Sequence, residues 1–129
     1  MLKQIADICR GVLRTTDVVC RYVGEVIAII FPETHLNLAV KVADRIRQEI
    51  AATPIRLENG EVKVTVSMGA SVYVKTSVID LVDFIDSVDR FLHEAKQSGR
   101  NCICHIDFNE LRSVTEIGAP ERVLRIARD

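Results

Sequence analysis

Apolar residues recur every three or four positions along three stretches of the chain, and this period predicts three amphipathic helices. The first covers residues 2–14. The second begins after Thr34, a predicted N-cap, and continues to about residue 51. The third covers residues 78–97 and stops at Ser98-Gly99, because glycine is favoured just after a helix C-terminus. The positions expected to face inward on the second helix are Leu38, Val42, Ile46 and Ile50.

Runs of β-branched residues and two-residue alternation predict the strands. Residues 18–22 and 26–31 form a predicted hairpin, and Pro32 ends its second strand. The segment ATPIRLENG is predicted to be a loop, and residues 61–74 alternate as a strand should.

The carboxyl-terminal part of the chain has a short predicted strand at residues 101–106, followed by a tail. Within the tail, APERVLRIAR predicts a helix with Pro120 near its first position, where proline is tolerated. We therefore divide the chain into a domain at residues 1–106 and a partly helical tail at residues 107–129.

The predicted order is helix, hairpin, helix, strand, helix, strand and tail. Such a mixed order predicts an α+β sandwich in which helices cover an antiparallel-rich sheet. It is related to the ferredoxin-like βαββαβ order, which begins with a strand. No strand is predicted before the first helix, so we expect a sandwich that lacks its N-terminal strand.

Composition narrows the classes of function. The chain has 129 residues and 48% hydrophobic content, which predicts one folded domain with a sizeable core. A formal net charge of -1 argues against a broad affinity for nucleic acid or anionic membranes. No apolar run approaches the roughly 18 residues that a membrane span needs. The amphipathic N-terminus, interrupted by Asp7, is a poor signal peptide.

Cysteine and histidine positions predict neither a zinc site nor a His-based active site. The four cysteines lack paired C-x-x-C spacing and stand among apolar residues, so we expect reduced core thiols in a cytoplasmic protein. The three histidines fall on separate elements, where surface or packing roles are expected. These residues are Cys9, Cys20, Cys102 and Cys104, and His35, His93 and His105.

Several short motifs occur together in one order and spacing. They are "RTTD", "VGEVI", "FPET", "ADRIR", "VTVSMGAS" and "VDRFLHEAKQSGRN". In this register, residues 2–106 resemble the C-terminal two-thirds of the GGDEF family, the diguanylate cyclase domains that condense two GTP molecules into cyclic di-GMP. The resemblance implies a nucleotidyl-cyclase-like fold without its first strand. In the family that strand is central, carries a metal-binding Asp, and precedes the Asn and Asp that hold guanine. Either the tail covers the resulting gap, or two chains share elements.

The signature turn of the family corresponds here to residues 23–27 and is degenerate. Gly24 and the acid Glu25 match the motif, and Ile27 stands at its last position. Val23 replaces a glycine and crowds the nucleotide, while Val26 replaces an acid and cannot bind metal. The resemblance then implies no intact catalytic site and no expected GTP binding. Glu25 would be a weak residual metal ligand, so no cofactor is required and Mg²⁺ is expected only with a nucleotide.

Basic residues match two further family positions. Lys96 and Arg100 correspond to contacts with the triphosphate, although cations at the last turn of a helix also favour the helix dipole. Arg45 corresponds to an arginine that contacts cyclic di-GMP from a neighbouring domain. Arg45 and Arg47 are otherwise ordinary residues on the polar face of a helix.

The family's inhibitory motif R-x-x-D corresponds to Arg14 and Asp17, with five residues between Asp17 and Val23. With 12 Arg and 9 Asp in the chain, roughly one such match is expected by chance, so only the register carries weight. An arginine fork suits guanine or phosphate, and a carboxylate can accept from the guanine N–H edge. The alternative is an exposed i, i+3 ion pair at a helix end.

The leading hypothesis is a catalytically inactive GGDEF-type signalling domain that binds cyclic di-GMP. The alternatives are an interaction module, forming a homodimer or pairing with a partner signalling domain without nucleotide, and a fragment or altered form of an active cyclase.

Overall fold

The computed structural model describes residues 2–21, 26–32, 34–73, 81–105 and 121–128. The three predicted helices and the predicted hairpin are present, and the fold is α+β with a mixed sheet, as expected. In chain order the elements are α1 (Leu2–Val12), β1 (Val18–Arg21), β2 (Val26–Phe31), α2 (Leu36–Ala52), β3 (Ile55–Leu57), β4 (Gly60–Val62), β5 (Val66–Tyr73), α3 (Leu81–Gln97), β6 (Ile103–His105) and β7 (Glu121–Arg128).

Five of the described strands form one sheet in the order β1-β2-β7-β5-β6. β1 is antiparallel to β2, and β7 is antiparallel to both β2 and β5. β6 lies beside β5 in the parallel sense. The last strand of the sequence therefore lies at the centre of the sheet.

The helix predicted for the tail is wrong, because residues 121–128 form strand β7. Leucine, arginine and alanine favour a helix in isolation, but tertiary pairing overrides such weak preferences. Here the backbone of β7 satisfies hydrogen-bonding groups of β2 and β5 at once. Of the two ways to fill the expected gap, the structure shows the tail filling it. Pro120 lies outside the described residues.

Helices cover both faces of the sheet. On β5, Met68 and its alternate neighbours belong to the core cluster that includes α1 and α2 residues such as Cys9 and Ile46. Gly69 points to the other face, where a Cβ would clash with the backbone nitrogen of Leu92 in α3. The absence of a side chain at Gly69 thus lets α3 approach β5 closely.

The start of α2 differs from the prediction. His35, not Thr34, is the N-cap, and its side chain makes no capping hydrogen bond. The hydroxyl of Thr34 instead donates to the carbonyl of Pro32 at 2.9 Å. Leu38 is 47% exposed, because the buried side of α2 follows a 3.6-residue period rather than steps of four. The buried residues of α2 are Leu36, Ala39, Ala43, Ile46 and Ile50.

The loop predicted between α2 and β5 contains a small hairpin, β3–β4, that is separate from the main sheet. The predicted strand at 61–74 is therefore two strands, β4 and β5. The side chain of Gln4 pairs with both backbone groups of Arg56 at 2.8 Å and so holds this hairpin against α1.

The cysteines are free thiols, but they do not all lie in the core as predicted. Cys9 is fully buried, Cys20 is exposed, and Cys102 and Cys104 are partly exposed. Burial raises the pKa of the Cys9 thiol to about 11, and desolvation followed by the neighbouring Cys102 raises the pKa of Cys104. Raised thiol pKa values disfavour the reactive thiolate.

Candidate functional site

The Arg14–Asp17 motif forms a tight turn between α1 and β1. The backbone N–H of Asp17 donates to the carbonyl of Arg14 at 3.1 Å. In return, the Asp17 carboxylate accepts from the backbone N–H of Arg14 at 2.9 Å and from its guanidinium at 3.4 Å. The Asp17 side chain is only 3% exposed. Such side-chain to backbone bonding explains why an Asp at this spacing forms a turn.

Thr34 adds a third contact to this turn. Its hydroxyl accepts a hydrogen bond from the Arg14 guanidinium at 2.5 Å, and the residue is 4% exposed. The Arg14 side chain itself remains 55% exposed. The motif thus joins the end of α1 to the segment after β2. Asp17 and Thr34 hold the guanidinium of Arg14, while about half of the arginine side chain stays exposed to solvent.

This geometry separates the roles of the two motif residues. Both Asp17 oxygens already accept hydrogen bonds from Arg14, so the carboxylate is occupied within the chain. The pair is also not the fully exposed ion pair that the alternative interpretation expects. A half-exposed guanidinium held in one orientation is suited to binding a phosphate or the edge of a guanine base.

Arg45 lies on the exposed side of α2 and forms an ion pair with Glu49 at 3.5 Å. It is 67% exposed and forms no hydrogen bond with Arg14 or Asp17 within the described residues. Arg47 bonds to Asp44 at 2.8 Å and to the side chain of Asn101 at 3.0 Å. Arg47 therefore ties α2 to the segment after α3, which is a structural role.

Three residues of the signature motif, Val23, Gly24 and Glu25, fall outside the described residues. Val26 is the first residue of β2, where it pairs with Ala127. Ile27 is 3% exposed and pairs with Ile126. Val26 and Ile27 are thus part of the sheet.

Lys96 and Arg100 lie at the same end of the sheet as Val26. Gly99 ends α3 with φ +109°, as predicted, and the N–H of Arg100 bonds to the carbonyl of Ala95 at 3.1 Å, a Schellman-type cap. The N–H of Met68 donates to the carbonyl of Cys102, which fixes this segment beside the start of β5. Arg14 and Lys96 are therefore at opposite ends of a sheet whose strands are about 17–20 Å long.

A cavity of about 280 Å³ lies between the amino end of α1 and the hairpin, and sequence reasoning missed it. Its walls combine apolar and cationic side chains with one thiol. The available signal was the placement of Lys3 and Arg10 seven residues apart on one side of α1. The lining residues are Leu2, Lys3, Ala6, Arg10, Val19, Cys20, Arg21 and Ile27.

In the part of the chain that the structure describes, no group of three or more His, Cys, Asp or Glu residues is arranged to hold a metal ion. Among the same residues, no helix has the length and apolar character needed to cross a membrane.

Comparison with known proteins identifies the family. The model of the family described as "Diguanylate cyclase, GGDEF domain" matches residues 1–102. The chain belongs to the GGDEF family. The hairpin, the R-x-x-D turn and the Lys96–Arg100 segment all lie within the matched range, whereas β7 lies beyond it.

Individual relatives agree with this assignment. The chain is 34% identical over 112 residues to the uncharacterised protein YhcK of Bacillus subtilis, and 31% identical over 101 residues to diguanylate cyclase A of Treponema denticola. These matches cover 85% and 78% of the chain, but only 31% and 27% of the two relatives. The chain thus spans less than a third of either relative.

A solved structure shares the fold. The diguanylate cyclase SiaD of Pseudomonas aeruginosa, in complex with its activator SiaC, matches with a TM-score of 0.74 and 27% identity. The match covers 81% of this chain and 40% of SiaD. These findings confirm the predicted family and fold.

Proposed function

We propose that this domain of the cyclic di-GMP signalling family does not synthesise the dinucleotide and instead binds it through Arg14. The observation that carries the proposal is the fixed, half-exposed guanidinium of Arg14, held by Asp17 and Thr34. Orienting the arginine in advance lowers the conformational entropy lost on binding. Asp17 then serves to position Arg14 rather than to contact the ligand.

Calorimetric titration with cyclic di-GMP tests this proposal. Arg14→Ala removes charge-assisted hydrogen bonds worth about 1.5–3 kcal/mol, so we expect about tenfold to hundredfold weaker binding. Arg56→Ala is the matched control, because Arg56 is exposed and its contacts with Gln4 use only backbone atoms. That variant should bind like the parent chain. Equal affinity of the parent and Arg14→Ala would refute the proposed role of Arg14.

Arg45 extends the same proposal to a second copy of the domain. Its guanidinium is 67% exposed and forms an ion pair with the partly exposed Glu49, so Arg45 of one copy is accessible to a dinucleotide held by Arg14 of another copy. An Arg45→Ala effect that appears only at concentrations where the protein dimerises would support this arrangement.

The proposed loss of synthesis rests on the sequence of the turn. Val23 and Val26 leave Glu25 as the acid in the turn, and two-metal chemistry of this kind needs more than one carboxylate. Lys96 and Arg100 would still attract a triphosphate electrostatically, but attraction alone does not align two nucleotides for reaction.

Incubation with GTP and Mg²⁺ provides the corresponding assay. We expect no cyclic di-GMP above background, since each 1.4 kcal/mol of lost transition-state stabilisation costs about tenfold in rate. Lys96→Ala should leave this result unchanged. Synthesis by the parent chain that Lys96→Ala abolishes would instead show a working cyclase.

The interaction module remains the second candidate, favoured by one observation. β1 lies at the edge of the sheet, where Val18 is 48% exposed, and an open edge strand can pair with another chain. SiaD is described with a protein activator bound. A concentration-independent monomer in sedimentation, alone and with cyclic di-GMP, would exclude self-pairing through β1.

A further inference from the structure

Two cysteines separated by one residue lie at the edge of the sheet. Cys102 directly precedes β6, and Cys104 lies within it. Among the described strands, β6 is an edge strand that pairs with β5. Both cysteines are partly exposed, so a small solute can reach their thiols. The proposed binding of a dinucleotide through Arg14 uses neither of them.

Both thiols lie on the side of β6 that faces α3. In the parallel register Cys104 stands opposite Gly69, the residue whose missing side chain lets α3 approach. The Cys102 thiol donates to the carbonyl of Ala95, in α3, at 3.4 Å. Ile103, between the two cysteines, packs against the core cluster on the opposite side. The alternation of an extended backbone thus places the two thiols next to each other on one face.

The backbone holds this pair of thiols in place. The N–H of Met68 donates to the carbonyl of Cys102 at 2.9 Å. The carbonyl of Ala95 accepts from the Cys102 thiol and also from the backbone N–H of Arg100 at 3.1 Å. The pair is therefore fixed between β5 and the last turn of α3. Ligand groups that are positioned in advance lose little conformational entropy on binding.

The two thiols also interact electrostatically. Burial, followed by the charges of Cys102 and Glu94 and by a hydrogen bond with Cys102, raises the pKa of the Cys104 thiol. Negative charge on one sulfur therefore disfavours negative charge on the other. A cation that both sulfur atoms share removes this repulsion, because a metal ion deprotonates the thiols that coordinate it.

The spacing of the pair favours a shared cation over a disulfide. Alternate residues of an extended strand are about 6.5 Å apart, whereas the two Cβ atoms of a disulfide are about 3.8 Å apart. Two thiolate–metal bonds of about 2.3 Å each span a wider gap than one S–S bond. Closing a disulfide across one residue would distort β6, and the pairing of β6 with β5 opposes that distortion.

The number of ligands limits the kind of cation. Within the described residues, no group of three or more His, Cys, Asp or Glu side chains is arranged to hold a metal ion. Structural zinc takes four protein ligands, so two thiolates do not complete its coordination. Thiolates are soft ligands that favour Cu(I), and this ion accepts two ligands in a linear arrangement.

We propose that Cys102 and Cys104 form a two-coordinate site for a soft monovalent cation, Cu(I), at the edge of the sheet. Each thiol releases its proton to solvent and forms one S–Cu bond, so two protons leave for each ion bound. Copper stays in the +1 state, and binding consumes no oxidant or reductant. In the loaded site, Cys102 no longer donates to the carbonyl of Ala95.

Competition with the chromophoric Cu(I) chelator bathocuproine disulfonate tests the site on the full chain without oxygen. We expect the parent chain to withhold one equivalent of Cu(I) from the chelator. Cys102→Ser and Cys104→Ser each remove one of two ligands. Each should weaken Cu(I) binding at least about a hundredfold, since losing even an outer-shell partner costs about 10–100-fold.

Cys20→Ser is the matched control, because it removes an exposed thiol outside the pair. This variant should bind Cu(I) as tightly as the parent chain. Far-UV circular dichroism should be the same for the three variants, since each substitution is at an exposed or partly exposed position. Equal copper retention by the parent chain and Cys104→Ser would overturn the proposal.

Alkylation of the parent chain tests the site without any substitution. Cleavage after Lys and Arg places Cys9, Cys20 and the pair on separate peptides, residues 4–10, 15–21 and 101–112. One equivalent of Cu(I) should slow alkylation of both thiols in 101–112 at least about tenfold and leave Cys20 unchanged. Protection of Cys20, or of only one thiol of the pair, would contradict the proposal.

Sedimentation distinguishes a site within one chain from copper shared between two chains. The mass of the protein with one Cu(I) per chain should equal that of the copper-free protein at the same concentration. A doubling of mass that depends on copper would overturn the assignment of both ligands to one chain.

Discussion

Asp17 and Arg14 differ sharply in exposure, and this difference decides what each residue can do. The carboxylate is 3% exposed and bonded within the turn, while the guanidinium is 55% exposed. Both residues could be predicted from the sequence, because the R-x-x-D motif stands at a characteristic spacing before the hairpin. The sequence could not show that Thr34, 20 residues later in the chain, would hold the same arginine. That contact depends on where β2 ends, which is a tertiary property.

Cys9 makes stability depend on pH in a predictable direction. Burial raises its pKa from 9.0 to about 11 in the folded state. Above pH 9 the unfolded chain loses this proton and the folded chain retains it, so the stabilisation is lost as pH rises toward 11. Relative to Cys9→Ala, the parent should lose up to about 2–3 kcal/mol over this range. Urea unfolding of both proteins at pH 8 and pH 10.5 measures the difference, and parallel losses would contradict the prediction.

Replacement by alanine should have opposite effects on stability at Gly69 and at Gly11. A Cβ at Gly69 would lie 2.5 Å from the carbonyl oxygen of Val88, so α3 would have to move, at a cost of about 1–3 kcal/mol. At Gly11, in α1, a Cβ meets nothing within 4 Å, and alanine should stabilise the helix by about 0.5–1 kcal/mol. Thermal unfolding should show a lower Tm for Gly69→Ala and a higher Tm for Gly11→Ala. If both variants shifted Tm in the same direction and by the same amount, the packing of α3 on β5 would not depend on the close contact at Gly69.

At the scale of elements, periodicity predicted the helices and the hairpin, whose apolar residues recur at regular intervals. All three helices and the hairpin were found because each presents a continuous apolar side or strand. The end of α3 was also predicted, since Gly99 has the positive φ that favours glycine. The start of α2 was not, because Thr34 bonds to Pro32 and Arg14 instead of capping the helix.

β7 could not be assigned from the residues of the tail alone. The residues of APERVLRIAR satisfy a helical pattern and a strand pattern about equally well. Pairing with β2 and β5 decides between the two patterns. These strands are distant from the tail in sequence, and their backbone hydrogen-bonding groups lie on either side of β7. A pattern confined to the tail carries no information about this pairing.

At the scale of the whole molecule, the sheet separates two groups of candidate residues. The Arg14 turn lies at one end, and the Lys96–Arg100 segment lies at the other, beside the start of β5. A product-binding function needs only the first end, whereas synthesis would need the second end and the signature motif at residues 23–27. The two proposed properties, binding without synthesis, can therefore be altered independently by substitution.

The central place of β7 also predicts how the domain unfolds. β7 joins the hairpin to the β5–β6 pair, so its loss should separate the sheet and the domain should unfold in one transition. Ile126→Ala removes a fully buried side chain from the shared core and should cost about 2–4 kcal/mol. Leu57→Ala, at a 47% exposed position on the separate β3–β4 hairpin, should cost less than about 1 kcal/mol. Circular dichroism and intrinsic tyrosine fluorescence should report the same lowered Tm for Ile126→Ala. A small effect at Ile126, or an early transition confined to one probe, would mean that β7 detaches while the rest of the sheet stays folded.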